Sequence, residues 1–110
     1  MSTSKTIRVL VVEPNKQPYA AEIPSDLASL QHQVGGLIQA LYPFADSAAV
    51  ICNDEGKLLG LPWNRILTDD EGIPYDVLVG TFLVVGLTVD DFSSLTEAQI
   101  IHYTEEFKLS

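Results

Sequence analysis

Residues 75–87 read Tyr-Asp-Val-Leu-Val-Gly-Thr-Phe-Leu-Val-Val-Gly-Leu, with Asp76 as the one charged side chain in the run. β-Branched and aromatic residues dominate it, which is strand composition. A strand this apolar on both alternating faces cannot border water. It needs another layer, or another subunit, on each side. Gly80 sits near the middle and predicts a bulge or bend that divides the run in two.

The rest of the chain supplies partners for that strand. Thr6 to Val12 (Thr-Ile-Arg-Val-Leu-Val-Val) predicts a first strand, and Glu13-Pro14-Asn15-Lys16 has turn chemistry. Gln17 to Ile23 then reads as the returning strand. Ser25 is placed to cap a helix whose apolar positions are Leu27, Leu30, Val34, Leu37, Ile38 and Leu41, ending at Pro43. Gly35 and Gly36 lie inside that pattern. They do not interrupt its period, so the spacing predicts one helix running through them. Ala48–Cys52 and Lys57–Leu61 flank Asn53-Asp54-Glu55-Gly56 and predict a hairpin. Thr96 followed by Gln99 is a capping box opening a last helix with Ile100, Ile101, Tyr103, Thr104 and Phe107. The expected fold is one α+β domain over residues 1–110, with residues 1–5 a flexible N-terminus. An antiparallel or mixed sheet would carry two amphipathic helices.

Charge narrows the partners. The chain has 15 acidic and 6 basic residues, a net charge of -9. Between Leu58 and Phe107 the single base is Arg65, against nine acids. Phosphate contacts need clustered Lys and Arg, so direct binding to nucleic acid or to an anionic membrane is not expected. The acids gather in turn sequences such as Asp69-Asp70-Glu71 and Asp90-Asp91. They make a solvated surface or, on the sharper reading, a mimic of DNA. No apolar run reaches membrane-spanning length, and Met1 to Lys5 lacks a signal-peptide core. A cytoplasmic location is expected. Cys52 lies in an apolar run and reads as a buried structural thiol.

No pattern points to catalysis. His32 and His102 are 70 positions apart, with no metal-ligand spacing around either. Phosphate loops, nucleophile elbows and dinucleotide fingerprints are absent. The reading is a protein that is not an enzyme and needs no cofactor or metal. Two features invite a binding role. Gly35-Gly36 would allow close approach of a backbone or flat ligand, or simply tight packing on the sheet. Leu61-Pro62-Trp63-Asn64-Arg65, with Tyr75-Asp76 and Gly80-Thr81-Phe82, collects a guanidinium, an amide and aromatic rings suited to a phosphate and a base. The competing account is an Arg65–Asp76 ion pair that pins a loop to the sheet. The candidate ligand-binding residues are Gly35, Gly36, Trp63, Asn64, Arg65, Tyr75 and Thr81.

Ile7-Arg8-Val9-Leu10-Val11-Val12-Glu13-Pro14, Val34-Gly35-Gly36, Ile51 to Lys57, Leu61-Pro62-x-Asn64-Arg65 and Tyr75-Asp76-x-x-x-Gly80-Thr81-Phe82 resemble an uncharacterised bacterial family, domain of unknown function 3846. The match runs in order over nearly the whole chain. Its members occur in phages and mobile elements, and the resemblance implies a counter-defence setting rather than a catalytic residue. Two roles follow as expectations. One is sequestration of a cyclic or ADP-ribose-type nucleotide immune signal, a small ligand held by the residues above. The other is inhibition of a host DNA-processing or defence enzyme, by DNA mimicry or other protein binding. A homo-oligomer is expected because Val77 to Leu87 carries more apolar surface than two short helices would cover.

Overall fold

The run of β-branched residues at Thr6–Val12 forms β1, and the turn at Glu13–Lys16 returns the chain as β2 (Tyr19–Pro24). The computed structural model of the protein describes residues 5–109. The flexible segment expected at residues 1–5 therefore lies outside the described residues, except for Lys5. The Lys5 carbonyl accepts a hydrogen bond from Ser25 N at 2.8 Å. Helix α1 (Leu27–Val34) is capped by Asp26, whose side chain accepts from Ser29 N; Ser25 is not the cap.

The helix does not pass through the glycines. Gly35 takes the left-handed conformation, φ 80°, and donates to Gln31 O as the C-cap. The residues beyond it, Ile38–Leu41, form β3. Each interior glycine would cost a helix about 0.5–1 kcal/mol, while leaving at Gly35 gives β3 a full set of partners on β4 (Ala48–Asn53). Gly36 permits that exit, because a Cβ there would lie 2.9 Å from Asn53 Nδ2. The hairpin expected after Cys52 is also replaced. Residues Gly56–Leu59 wind into a single helical turn, α2. Gly60 closes it at φ 70°.

β5 (Trp63–Thr68) pairs with β6 (Pro74–Val79) in a separate two-stranded ribbon. Gly80, at φ 70°, turns the chain out of it, so the apolar run is divided as its glycine predicts. The second half, β7 (Phe82–Leu87), enters the main sheet. That sheet runs β2-β1-β7-β4-β3, all antiparallel, with the short β8 (Phe92–Ser93) beside β7. Helix α3 (Glu97–Phe107) opens on Thr96 with both halves of the capping box formed.

Alternation along the central strands divides the core in two. Val9, Val11, Ile51, Leu83 and Val85 face α1 through Leu30 and Val34. Leu10, Val12, Val50, Phe82 and Val84 face the opposite layer, built from α3 (Ile100, Tyr103, Phe107) and the inner side of the ribbon (Leu67, Leu78). The protein is thus an α+β fold of antiparallel sheets with helices on them. Phe82, Leu83, Val84 and Val85 are 0% exposed. The apolar surface that motivated an oligomer is therefore covered within the chain over β7.

Helix α3 is tied to the β3–β4 loop at Asp46. Its Oδ2 accepts from Tyr103 Oη at 3.0 Å and from Gln99 Nε2 at 3.1 Å, and Ser47 N donates to Oδ1 at 2.7 Å. Burial pushes the Asp46 carboxyl up, but the hydrogen bonds from Gln99, Tyr103 and Ser47 outweigh it, so the pKa lies below the usual value. A depressed carboxylate contributes stability above its unfolded pKa, and that contribution is lost as pH falls through the folded value. Urea midpoints measured between about pH 5 and pH 2 should therefore fall less steeply in Asp46→Asn than in the wild type. Identical slopes would mean that the Asp46 bonds add nothing.

Candidate functional site

The seven candidate residues do not converge. Gly35 caps α1 and Gly36 packs on Asn53, at the edge of the main sheet. Thr81 is half-buried in the link between β6 and β7. Asn64 and Arg65 point inward, whereas Trp63 and Tyr75 point outward on the same ribbon.

The inward pair forms a structural knot. A bulge between Trp63 and Arg65 leaves Asn64 unpaired in the ribbon and turns its amide into the core. Asn64 Nδ2 donates to Val12 O at 2.9 Å and to Gly80 O at 2.8 Å. Its Oδ1 accepts from Arg65 Nη1 at 2.5 Å. Arg65 Nε donates to Phe107 O at 2.9 Å, and Nη2 to Lys16 O at 2.8 Å. One guanidinium thus joins the β1–β2 turn, the ribbon and the end of α3. Burial lowers its pKa. The ion pair expected with Asp76 does not form; Lys57 Nζ pairs with Asp76 Oδ1 at 2.7 Å instead. Arg65, 7% exposed, holds three chain segments rather than one loop.

The outward residues make a different surface. Ile66 stands opposite Val77 in the ribbon register, and Trp63 opposite Val79. With Tyr75 they line the face turned away from the core. Trp63 is 56% exposed, Ile66 54%, Tyr75 49% and Val77 41%, and Ile73 at the turn is 55%. At up to ~200 Å² for a large side chain, these five present roughly 500 Å² of apolar surface, as large as the biggest patch on an ordinary monomer. Leu58 and Leu59 on α2 are exposed as well. α2 adjoins the Trp63–Val79 end of the ribbon, since Gly56 packs on Val79.

Acids lie near the ribbon but are engaged away from this face: Ala45 N donates to Asp70 Oδ2 at 2.6 Å, and Asp69 and Asp70 line a depression with Phe44, His102 and Glu106. Asp69, Asp70 and Glu71 form the β5–β6 turn, where Asp69 Oδ1 accepts from Glu71 N and Ile73 N. At the other end, Asp54 and Glu55 precede α2. Ile66 escapes sequence reading because the 61–65 stretch looks like a loop, whereas Val77 lies in the apolar run 75–87 already expected to be a strand in need of cover. The usable signal was two-sided apolar alternation, Ile66-Leu67 against Val77-Leu78, in a segment with no second sheet to cover it.

A cleft of about 240 Å³ lies between β6 and the end of β4, lined by Gln39, Asn53, Glu55, Lys57 and Asp76 among others. None of the seven candidates lines it. Cys52 opens onto it, but burial, with Asp76 and Asp54 nearby, pushes the thiol up to about 11. At neutral pH it is a protonated thiol, a poor nucleophile. Among the described residues no three His, Cys, Asp or Glu side chains are grouped to hold a metal, and no helix is long and apolar enough to cross a membrane.

Fold and surface together define an α+β protein with an inward polar knot and an outward apolar ribbon face. The chain belongs to the family described as Domain of unknown function (DUF3846), whose sequence model matches residues 7–108. No curated protein and no solved structure gives a significant match.

Proposed function

We propose that this protein works without catalysis by binding a partner protein through the outer face of the β5–β6 ribbon. The observation that supports this is the row Trp63, Ile66, Tyr75 and Val77, apolar and about half exposed on a strand pair whose other face is core. Sheet faces left bare in this way are ordinarily covered, and aromatic residues at the centre of a patch are the usual anchors of an interface. In the phage and mobile-element setting that the family resemblance implies, the partner is a host DNA-processing or defence enzyme, and the protein its inhibitor.

Sequestration of a nucleotide has less support. Its phosphate ligand was to be Arg65, whose guanidinium is directed at Phe107 O, Lys16 O and Asn64 Oδ1. The cleft between β6 and β4 is bordered by Asp54, Glu55 and Asp76 against a single Lys57, a poor setting for an anion. Thermal shift separates the two readings. Cyclic and ADP-ribose-type nucleotides should leave the melting temperature unchanged. A ligand present at 100 times its dissociation constant would add about 2.7 kcal/mol of stability, and such a shift would favour sequestration instead.

A further inference from the structure

We infer that a second copy of this chain adds to the free edge of β2, antiparallel about a two-fold axis at Ala21, so that the two main sheets join into one. The inference is separate from the ribbon-face reading, because it uses the backbone of the main sheet's outer strand.

β2 closes one side of the main sheet and is paired only with β1. Which of its backbone groups face outward follows from Arg8. Arg8 N donates to Ser94 Oγ at 2.9 Å, and Arg8 O accepts from Leu95 N at 2.8 Å, so both point away from β2. Arg8 stands opposite Glu22. Bonded and non-bonded pairs alternate along an antiparallel ladder, so this pair is non-bonded and Glu22 turns its own N–H and C=O away from β1. The same holds for Ala20, opposite Leu10. The bond from Ser25 N to Lys5 O, 2.8 Å, falls on the other parity, as the alternation requires. Among the described residues nothing pairs with the outward groups of Ala20 and Glu22.

Two prolines bound this edge. Pro24 and, just before the strand, Pro18 take the next positions of the same parity, and neither has an N–H to offer. They are equidistant from Ala21. A second β2 therefore fits in one register, with Ala20 opposite Glu22 of the partner subunit, where all four outward groups of each chain are paired. A shift by two residues either way sets a proline opposite Ala20 or Glu22 and leaves that residue's carbonyl without a donor. In the matched register Ala21 meets its own counterpart as a non-bonded pair, where Cα atoms approach to about 4.5 Å and two methyl groups fit. Tyr19, 46% exposed, falls opposite Ile23 of the partner subunit, an aromatic and β-branched pair.

Charge favours the same edge. Residues 5–24 hold Lys5, Arg8 and Lys16 against Glu13 and Glu22, three bases to two acids. The rest of the chain holds three bases to 13 acids, so two copies repel each other least here. Glu22, the one acid on the strand, has Arg8 opposite it on β1. A single strand pair about 20 Å long is a small contact, which makes the dimer a weak and reversible one.

Cysteine cross-linking traps a weak dimer and reads its register. Ala21→Cys places two thiols across the axis at a Cα separation of about 4.5 Å, within the roughly 4.4–6.8 Å that a disulfide spans. Ala20→Cys would stand about 8 Å from its counterpart, out of reach. Native Cys52 is 6% exposed, so the wild type serves as the blank. Under mild oxidation Ala21→Cys should give at least about tenfold more disulfide-linked dimer than Ala20→Cys at equal concentration. Ala20→Pro removes an outward N–H and none that bonds β1, a position where a sheet edge tolerates proline. The wild-type sedimentation coefficient should rise with concentration, and Ala20→Pro should weaken that association at least about tenfold with unchanged circular dichroism. Val77→Ser, on the ribbon face, should leave it as it is. Equal cross-linking of the two cysteine variants would mark random collision and overturn the inference, as would cross-linking of neither above the wild type. A wild type that stays monomeric up to about 1 mM also overturns it. Self-association lost in Val77→Ser but kept in Ala20→Pro would move the second copy to the ribbon face and do the same. Should Ala20→Pro fail to fold, the two cysteine variants decide.

Discussion

Arg65→Ala should destabilise the fold by about 3–5 kcal/mol, the cost of orphaning two buried acceptors and one half-buried one at roughly 1–3 kcal/mol each. The acceptors are Phe107 O, Lys16 O and Asn64 Oδ1, contributed by segments 42, 49 and one residue away in sequence. Alanine can donate to none of them, and the space left by the guanidinium adds a packing loss. In a domain whose total stability is on the order of 5–15 kcal/mol, that is a large part of the whole. Arg65→Lys should recover little, because one ammonium on a flexible stem cannot span acceptors that a planar fork reaches together. Urea unfolding of the three proteins measures both effects. An Arg65→Ala protein with wild-type stability would mean that the knot holds nothing together, and would reopen a ligand role for the side chain.

Gly86→Ala should cost about 3 kcal/mol, at the upper end of what overpacking a tight contact does. A Cβ built on Gly86 falls 2.4 Å from Ser94 O and 2.9 Å from Ser93 Oγ. The first of these is backbone and cannot rotate aside. It belongs to the lead-in of α3, which is fixed by Leu95 N donating to Arg8 O at 2.8 Å and by Ser94 Oγ accepting from Arg8 N at 2.9 Å. Relief therefore requires β8 and the start of α3 to move off β7 and β1. Gly35→Ala is the natural comparison. Nothing lies within 4 Å of a Cβ there, so its penalty is only the left-handed backbone at φ 80°, about 1 kcal/mol. A smaller loss at Gly86 than at Gly35 would show that the α3 lead-in is looser than these contacts imply.

Elements that depend on near neighbours were legible in the sequence. The capping box at Thr96 and Gln99 needs three residues and no tertiary contact, and it forms as its sequence predicts. The strand character of 6–12 and 82–87 follows from β-branched composition, and the break at Gly80 from its freedom at positive φ. The α+β class follows from these elements together.

What lay beyond the sequence depends on partners that are distant in the chain. Leu37, Ile38 and Leu41 fit a helical stripe, yet Ile38–Leu41 is a strand, because β4 offers its edge and Gly35 leaves the helix at little cost. Lys57–Leu61 lost its strand reading for the converse reason: β4 is already paired on both sides, by β3 and β7. Arg65 looked like a ligand residue because a guanidinium's equipment is the same whether it meets a phosphate or three carbonyls. Which of these it meets is set by where the ends of α3 and of the β1–β2 turn come to rest. Trp63, Ile66, Tyr75 and Val77 carry the same apolar character as the core. Local composition marked Tyr75 and Val77 as strand residues but left Trp63 and Ile66 outside any expected strand; only the layering of the fold, which covers Leu67 and Leu78 and nothing on the opposite face, decided that all four would be left in solvent.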